Sequence, residues 1–290
     1  MARIEPLIVG VTVVAFGTSS PEFIVSFVAA LSGHIDVASG NIVGSNIANI
    51  ALILGVSSLL RPLLMKATDV SHESYWMIAT GLIFWIFSIN GIISHFEGWL
   101  LFIGIVVFTL VLIRKSIRAR KNKAIVPPED TSRLKNLPKW AKGIIYLIYV
   151  VGGIMVLVWG SYITIESATN IARTLGISEI LIGLSLVAFG TSLPELATAV
   201  ISLIRDEKAI LIGNVIGSNI FNILFVGGTI SGVFTLPVAS RMIRIDIPLM
   251  FLISLLIIPV ILHTRQISRL VGLFLLAYYI LYLAFIYLKP

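Results

Sequence analysis

The chain is 290 residues long, 58% hydrophobic and 12% charged, against roughly 45–50% apolar and about 25% charged residues in an ordinary soluble domain. That composition excludes a water-soluble globule, and it turns the formal net charge of +7 from a nucleic-acid signal into a signal of membrane topology. The absence of cysteine excludes disulfide frameworks, thiol nucleophiles and cysteine-ligated metal sites.

A helix that crosses a bilayer needs about 20 mostly apolar residues. In chain order, 6–31 and 37–60 are long apolar stretches interrupted by Gly, Pro, Ser, Thr, Asn or a carboxylate. Residues 74–96 form an uninterrupted run between charges, and 98–113 a shorter one, where Arg114 and Lys115 can snorkel and Glu97 can sit in the headgroups. Residues 143–165 are again uninterrupted, 180–204 and 209–234 are interrupted, and 247–264 and 270–288 complete the series. The expectation is an all-α polytopic membrane protein of about nine transmembrane helices.

Residues 114–142 hold ten Lys and Arg against Glu129 and Asp130, a net +8, which leaves 7 − 8 = −1 for the rest of the chain. Pro127, Pro128 and Pro138 argue against a continuous helix there. The reading is a basic loop over 116–142 between a first unit, 1–115, and a second, 143–290. The positive-inside rule places this loop in the cytoplasm. Counting crossings then puts the N-terminus inside and the C-terminus outside. Arg61, Lys66, Arg265 and Arg269 fall inside, in agreement with the rule, whereas Arg241 and Arg244 fall outside.

Residues 10–55 align without a gap on 183–228, at a constant offset of 173 and with 18 of 46 positions identical. GVTVVAFGTSSPEF recurs as GLSLVAFGTSLPEL, and GNIVGSNIANI as GNVIGSNIFNI. Apolar bias alone does not place Gly, Thr, Ser, Pro, Glu and Asn in matching order. Glu22 lies in the first span and Glu195 in the sixth, five crossings later, so the copies run oppositely through the membrane. Inverted repeats of this kind build secondary transporters with substrate held at the midplane.

Of the 14 acidic residues, only Glu22 and Glu195 fall inside spans; the others, Glu73 and Asp246 among them, fall at span ends or in loops. A carboxylate at that depth costs at least about 2.5–3.5 kcal/mol and needs a partner. Neither interrupted span offers Lys or Arg, which leaves a proton or a metal cation. Pro21 and Pro194 weaken the preceding turn, so carbonyls from Ala15 to Thr18 and from Ala188 to Thr191 are candidates to turn inward. Carbonyls, hydroxyls and a carboxylate make an oxygen cage for a hard cation. Ser45 and Asn49, like Ser218 and Asn222, share one helical face at i, i+4.

Two carboxylates among neutral oxygens balance one divalent ion or hold monovalent ions in the same space. Calcium suits such a cage better than magnesium, and the lack of His in the motifs argues against zinc. Gly10, Gly44, Gly55, Gly183, Gly217 and Gly228 read as close-packing positions. Asn46 and Asn219 read as hydrogen-bonding support, and Asn41 and Asn214 as caps at helix starts.

The paired GTSxPE and GxxGSNIxN motifs, carried twice in inverted orientation around a basic loop, resemble the cation/calcium exchanger superfamily, specifically its prokaryotic sodium/calcium exchangers. The resemblance implies an antiporter rather than an enzyme, exchanging sodium for calcium by alternating access in a prokaryotic cell membrane, with no cofactor and no nucleic-acid partner. Position by position it makes Glu22 and Glu195 the essential carboxylates. It makes Thr18, Ser19, Ser45, Thr191, Ser192 and Ser218 hydroxyl ligands, Ala15, Thr18, Ala188 and Thr191 carbonyl ligands, and Asn49 and Asn222 the central amides. Potassium-dependent relatives resemble those with Asp at the position of Asn222, so Asn222 argues against a potassium requirement.

The family would have ten helices, opening with one equivalent to 143–174 here, and this chain begins almost at the motif. That departure leaves a non-transporting, ion-binding relative as an alternative. A proton/calcium antiporter is another, although such relatives carry fewer Ser and Thr ligands. A membrane-embedded protease or hydrolase predicts Asp pairs and leaves the repeated Ser, Thr and Asn unexplained.

Overall fold

The computed structural model describes residues 6–64, 67–122 and 137–288. They form nine helical rods: α1 (Leu7–Leu31), α2 (Ile35–Leu60), α3 (Ala67–Ser88), α4 (His95–Asn122), α5 (Lys139–Thr174), α6 (Glu179–Ile204), α7 (Lys208–Phe234), α8 (Met242–Thr264) and α9 (Arg269–Leu288). Among the described residues, seven of these helices, α1, α2, α4 and α6–α9, are long and apolar enough to cross a membrane.

Two boundaries differ from the sequence expectation. The run 74–96 is not one helix, because α3 ends at Ser88 and α4 begins at His95. The turn between them carries no charge, so charge spacing could not reveal it. Gly91, at φ 87, allows the reversal. In addition, α4 continues to Asn122, so a helix occupies the first part of the stretch read as a loop. Lys and Arg are good helix formers, and the helix-breaking Pro127 and Pro128 lie in 123–136, outside the described residues. Pro138 sits just before α5, where proline is compatible with a helix start.

The inversion of the repeats follows from four contacts. His34 Nδ1, in the α1–α2 turn, lies 2.8 Å from Glu179 at the start of α6. Arg61, just past α2, lies 3.1 Å from Asp206 in the α6–α7 turn. Both α2 and α6 therefore run from the first clasp to the second, whereas α1 arrives at the first, so α1 and α6 are antiparallel. Two short antiparallel bridges repeat the lesson. Leu63–Leu64 pairs with Gln266–Ile267, and Ile92–Ile93 with Leu236–Pro237. Helix α3 leads from the first bridge to the second and α8 leads back.

The repeats interlock through glycine. A Cβ on Gly10 would lie 2.5 Å from the Ile210 carbonyl, and one on Gly217 2.7 Å from the Val11 carbonyl. The related crossing has Gly44 at 2.5 Å from the Leu184 carbonyl and Gly183 at 2.6 Å from the Val37 carbonyl. So α1 seats on α7 and α6 on α2, each repeat's motif helix against the other repeat's second helix. Gly55 and Gly228 approach Gly272 of α9 and Phe102 of α4 in the same manner. All six glycines act as packing positions, where backbones approach without side chains. Outside this core, α4 and α9 present apolar side chains such as Ile103, Val107, Leu273 and Leu281 outward, as lipid-facing helices do.

Glu73 and Asp246, expected at span ends, are fully buried. They occupy equivalent places, since 246 − 73 = 173. Lys115 Nζ donates to Glu73 at 2.7 Å, and the Tyr282 hydroxyl donates to Asp246 at 3.1 Å with Arg241 Nε 3.8 Å away.

Candidate cation site

Both motif helices are irregular at the same places. In α1, Gly10–Val14 winds as a π-helix and the chain leaves helical geometry at Ser19 (φ −83, ψ 3). In α6, Gly183–Val187 and Ser192 (φ −82, ψ 2) repeat this. Proline without an N–H can enter a helix only in its first turn, and Pro21 and Pro194 do so. The result is a second half-helix, Ser20–Leu31 or Leu193–Ile204, whose first turn carries Glu22 or Glu195. A helix N-terminus favours a negative charge there. The partner helices also widen into π-turns, at Ala48–Leu54 and Asn222–Gly227, around the two amides. Such π-segments are rare and recur at functional sites.

All twelve residues singled out by the motifs are buried, and most meet across the repeat boundary. The Ser19 hydroxyl donates to Glu195 Oε1 at 3.2 Å, and the Ser192 hydroxyl to Glu22 Oε1 at 3.4 Å. Ser218 also donates to Glu195 Oε1, at 3.3 Å. Thr191 lies 3.3 Å from Ser45. Asn49 Nδ2 donates to Asn219 Oδ1 at 3.5 Å, and Asn219 in turn reaches Met77 Sδ, while Asn46 turns back onto the Ile42 carbonyl.

One expectation changes, that for Asn41 and Asn214, whereas the carbonyls of Ala15 and Ala188 each keep one helical bond and a second lone pair. The Ala15 carbonyl accepts from Ser19 N at 2.9 Å, and the Ala188 carbonyl from Ser192 N at 3.1 Å. These carbonyls stay within helical pairing, because the chain departs from the helix only one turn later. Asn41 and Asn214 are not caps. They lie inside α2 and α7, fully buried, since those helices start at Ile35 and Lys208. Asn41 Oδ1 accepts from Ser45 and from Thr191, each at 3.1 Å, and Asn214 Oδ1 accepts from Thr18 at 3.1 Å. The i, i+4, i+8 spacing of Asn41, Ser45 and Asn49 puts all three on one face and was the signal that could have placed them.

Within this site, four buried oxygens related by the repeat have no donor: Glu22 Oε2, Glu195 Oε2, Asn49 Oδ1 and Asn222 Oδ1. Among the described residues no Lys, Arg or His pairs with either glutamate. Buried polar groups are ordinarily hydrogen-bonded, and an unpaired buried carboxylate costs several kcal/mol. An oxygen-only set with two carboxylates is the chemistry of a hard cation, calcium or sodium, rather than of a soft metal.

The sequence pattern of the family described as "Sodium/calcium exchanger protein" matches residues 1–114 and 145–288. The sodium/calcium exchanger MaX1 of Methanosarcina acetivorans is 30% identical over an alignment of 319 residues, covering 98% of this chain and 89% of that protein. The inner membrane protein YrbG of Escherichia coli is 35% identical over 225 residues, 78% of this chain and 69% of the other. Among solved structures, the sodium-calcium exchanger NCX_Mj soaked with sodium and strontium superposes with a TM-score of 0.76 at 28% identity, over 97% of this chain and 87% of that one.

Proposed function

The chain belongs to the sodium/calcium exchanger protein family, an integral membrane cation/calcium exchanger, and from that premise we propose that it is an antiporter moving calcium against sodium by alternating access. The observation that carries this reading is the set of four donorless oxygens, two from carboxylates and two from amides, contributed equally by the two repeats. Glu22 and Glu195 supply the charge. Hydroxyls of Thr18, Ser19, Ser45, Thr191, Ser192 and Ser218, the amides of Asn49 and Asn222, and the second lone pairs of the Ala15 and Ala188 carbonyls complete the cage.

Exchange rather than one-way leak follows from electrostatics. With both carboxylates ionised the cage carries two negative charges in a low-dielectric interior, where uncompensated charge is prohibitive. The repeats can change their exposure only with the charge neutralised, by one calcium or by monovalent ions in the same oxygens. One ion therefore returns the carrier for the other. The basic stretch 114–142 puts that segment in the cytoplasm by the positive-inside rule, and with it the N-terminus, leaving the C-terminus outside.

The test is uptake of radiolabelled calcium into proteoliposomes loaded with sodium. Uptake that follows an outward sodium gradient and ignores a pH gradient is the expected result. Uptake that follows the pH gradient alone would replace sodium by protons as the coupling ion.

A further inference from the structure

A hydroxyl has one proton and two lone pairs. It can ligate a cation only if its proton is directed elsewhere, so a cage built of Ser and Thr needs acceptors behind it. We infer that Asn41 and Asn214 are the positioning residues that hold these protons, and that Ser26 in one repeat, against Ala199 in the other, makes the two half-sites unequal in stiffness. The inference rests on the cation-site reading above and adds residues that do not themselves touch the ion.

Asn41 is fixed from both ends. Its Oδ1 takes the protons of Ser45 and Thr191, each at 3.1 Å. Its Nδ2 donates to Ser26 Oγ at 2.8 Å and to the Glu22 carbonyl at 3.3 Å. A carbonyl only accepts, so the Glu22 oxygen settles which end of the amide faces it, and Oδ1 must then face the hydroxyls. The same contact ties Asn41 to the backbone of the residue that carries the charge.

Asn214 holds the Thr18 proton at 3.1 Å, but its Nδ2 is buried without any acceptor. The cause is one substitution within the repeat. The position equivalent to Ser26 is Ala199, since 199 − 26 = 173, and the buried methyl of Ala199 offers no acceptor there. The serines differ accordingly. Ser45 sends its proton to Asn41, whereas Ser218 sends its own to Glu195 Oε1 at 3.3 Å, onto an oxygen the ion must claim. The Asn41 half-site thus arrives with its lone pairs already aimed, and the Asn214 half-site must reorient as the ion enters. Pre-aligned ligands bind more tightly because the cost of ordering is met before binding.

The experiment uses purified full-length protein in proteoliposomes, with KM for calcium and maximal rate measured at fixed internal sodium. Ser26→Ala removes the nearer of the two acceptors of the Asn41 amide and is expected to raise KM about fivefold, the equivalent of ~1 kcal/mol for one hydrogen bond, with the maximal rate held within about twofold by the intact carboxylates. Ala199→Ser supplies the missing acceptor and is expected to lower KM about threefold. A gain of affinity is a change that damaged packing does not produce, so Ala199→Ser keeps the test informative if Ser26→Ala fails to fold. An unchanged or higher KM in Ala199→Ser overturns the inference. Glu22→Gln separates the two levels. If wild type exchanges calcium and Glu22→Gln abolishes it while Ala199→Ser leaves KM unmoved, this inference alone fails; if Glu22→Gln leaves transport intact, the cation-site reading fails and this one with it.

Discussion

The inner helices α1, α2, α6 and α7 and the outer helices α3, α4, α8 and α9 obey the same two-fold relation in different ways. The inner ones repeat residues, with 18 of 46 positions identical over 10–55 and 183–228. The outer ones repeat geometry with other residues. Glu73 pairs with Lys115, while its equivalent Asp246 is held by Tyr282 and Arg241. Likewise Leu64 faces Gln266 in one bridge, while its equivalent Pro237 faces Ile92 in the other. Where each half must offer the same oxygens to one ion, chemistry dictates the side chain. Where a helix junction has only to be buried and neutralised, several side chains suffice.

The largest expected effect lies at the inner carboxylates. Glu22→Gln or Glu195→Gln removes half the charge of the cage, and losing one partner of a buried charge contact costs ~2–5 kcal/mol, at least about thirtyfold in affinity. Calcium binding by calorimetry should fall by that much while the protein stays monodisperse in size-exclusion chromatography. Unchanged binding would place the ion elsewhere and erase the distinction between inner and outer helices.

Next come the glycines. Gly217→Ala brings a Cβ to 2.7 Å from both Ala15 Cβ and the Val11 carbonyl, a backbone contact that cannot move aside, and overpacking of this kind costs ~1–3 kcal/mol. Gly81→Ala in α3 meets nothing nearer than Phe251 Cδ2 at 3.5 Å and gains up to ~1 kcal/mol of helix propensity. Melting temperatures of the two variants should therefore shift in opposite directions.

The sequence was most legible where the repeat was strongest. Two copies of one motif revealed the inversion, the two intramembrane glutamates and the glycine crossings, because each was written twice. It was least legible where one residue type serves two roles. Asn41 and Asn214 look like caps in isolation, since Asn favours that position, and only the helix starts at Ile35 and Lys208 show them to be interior. Charge spacing failed at 89–94 because that turn carries no charge, and its Ile92–Ile93 segment is held by a bridge to Leu236–Pro237. The burial of Glu73 could not be read either, because its partner Lys115 is 42 residues away.

That pair supplies an intermediate effect. Breaking a buried ion pair typically costs ~3–5 kcal/mol, but the Lys115 side chain is 37% exposed and, once freed, can snorkel to the interface. Glu73→Gln should therefore lower the melting temperature by less than a fully buried pair would, and Lys115→Met combined with Glu73→Gln should recover part of the loss. A Glu73→Gln variant that instead abolishes calcium binding with its fold intact would make Glu73 part of the inner machinery.

The smallest effect is expected at the clasp between Arg61 and Asp206. Both side chains are more than half exposed, at 52% and 61%, and such pairs are worth ~0–1 kcal/mol and are screened by salt. Asp206 also keeps Lys208 at 3.4 Å, so Arg61→Ala leaves its charge compensated. The melting temperature should scarcely change, and transport should match wild type at physiological ionic strength. A variant that melts normally yet transports slowly would mean that this tether between the end of α2 and the α6–α7 turn governs how fast the repeats reorient. An outer contact without any ligand oxygen would then set the rate of exchange, and residue identity would cease to separate the helices that carry the ion from those that frame them.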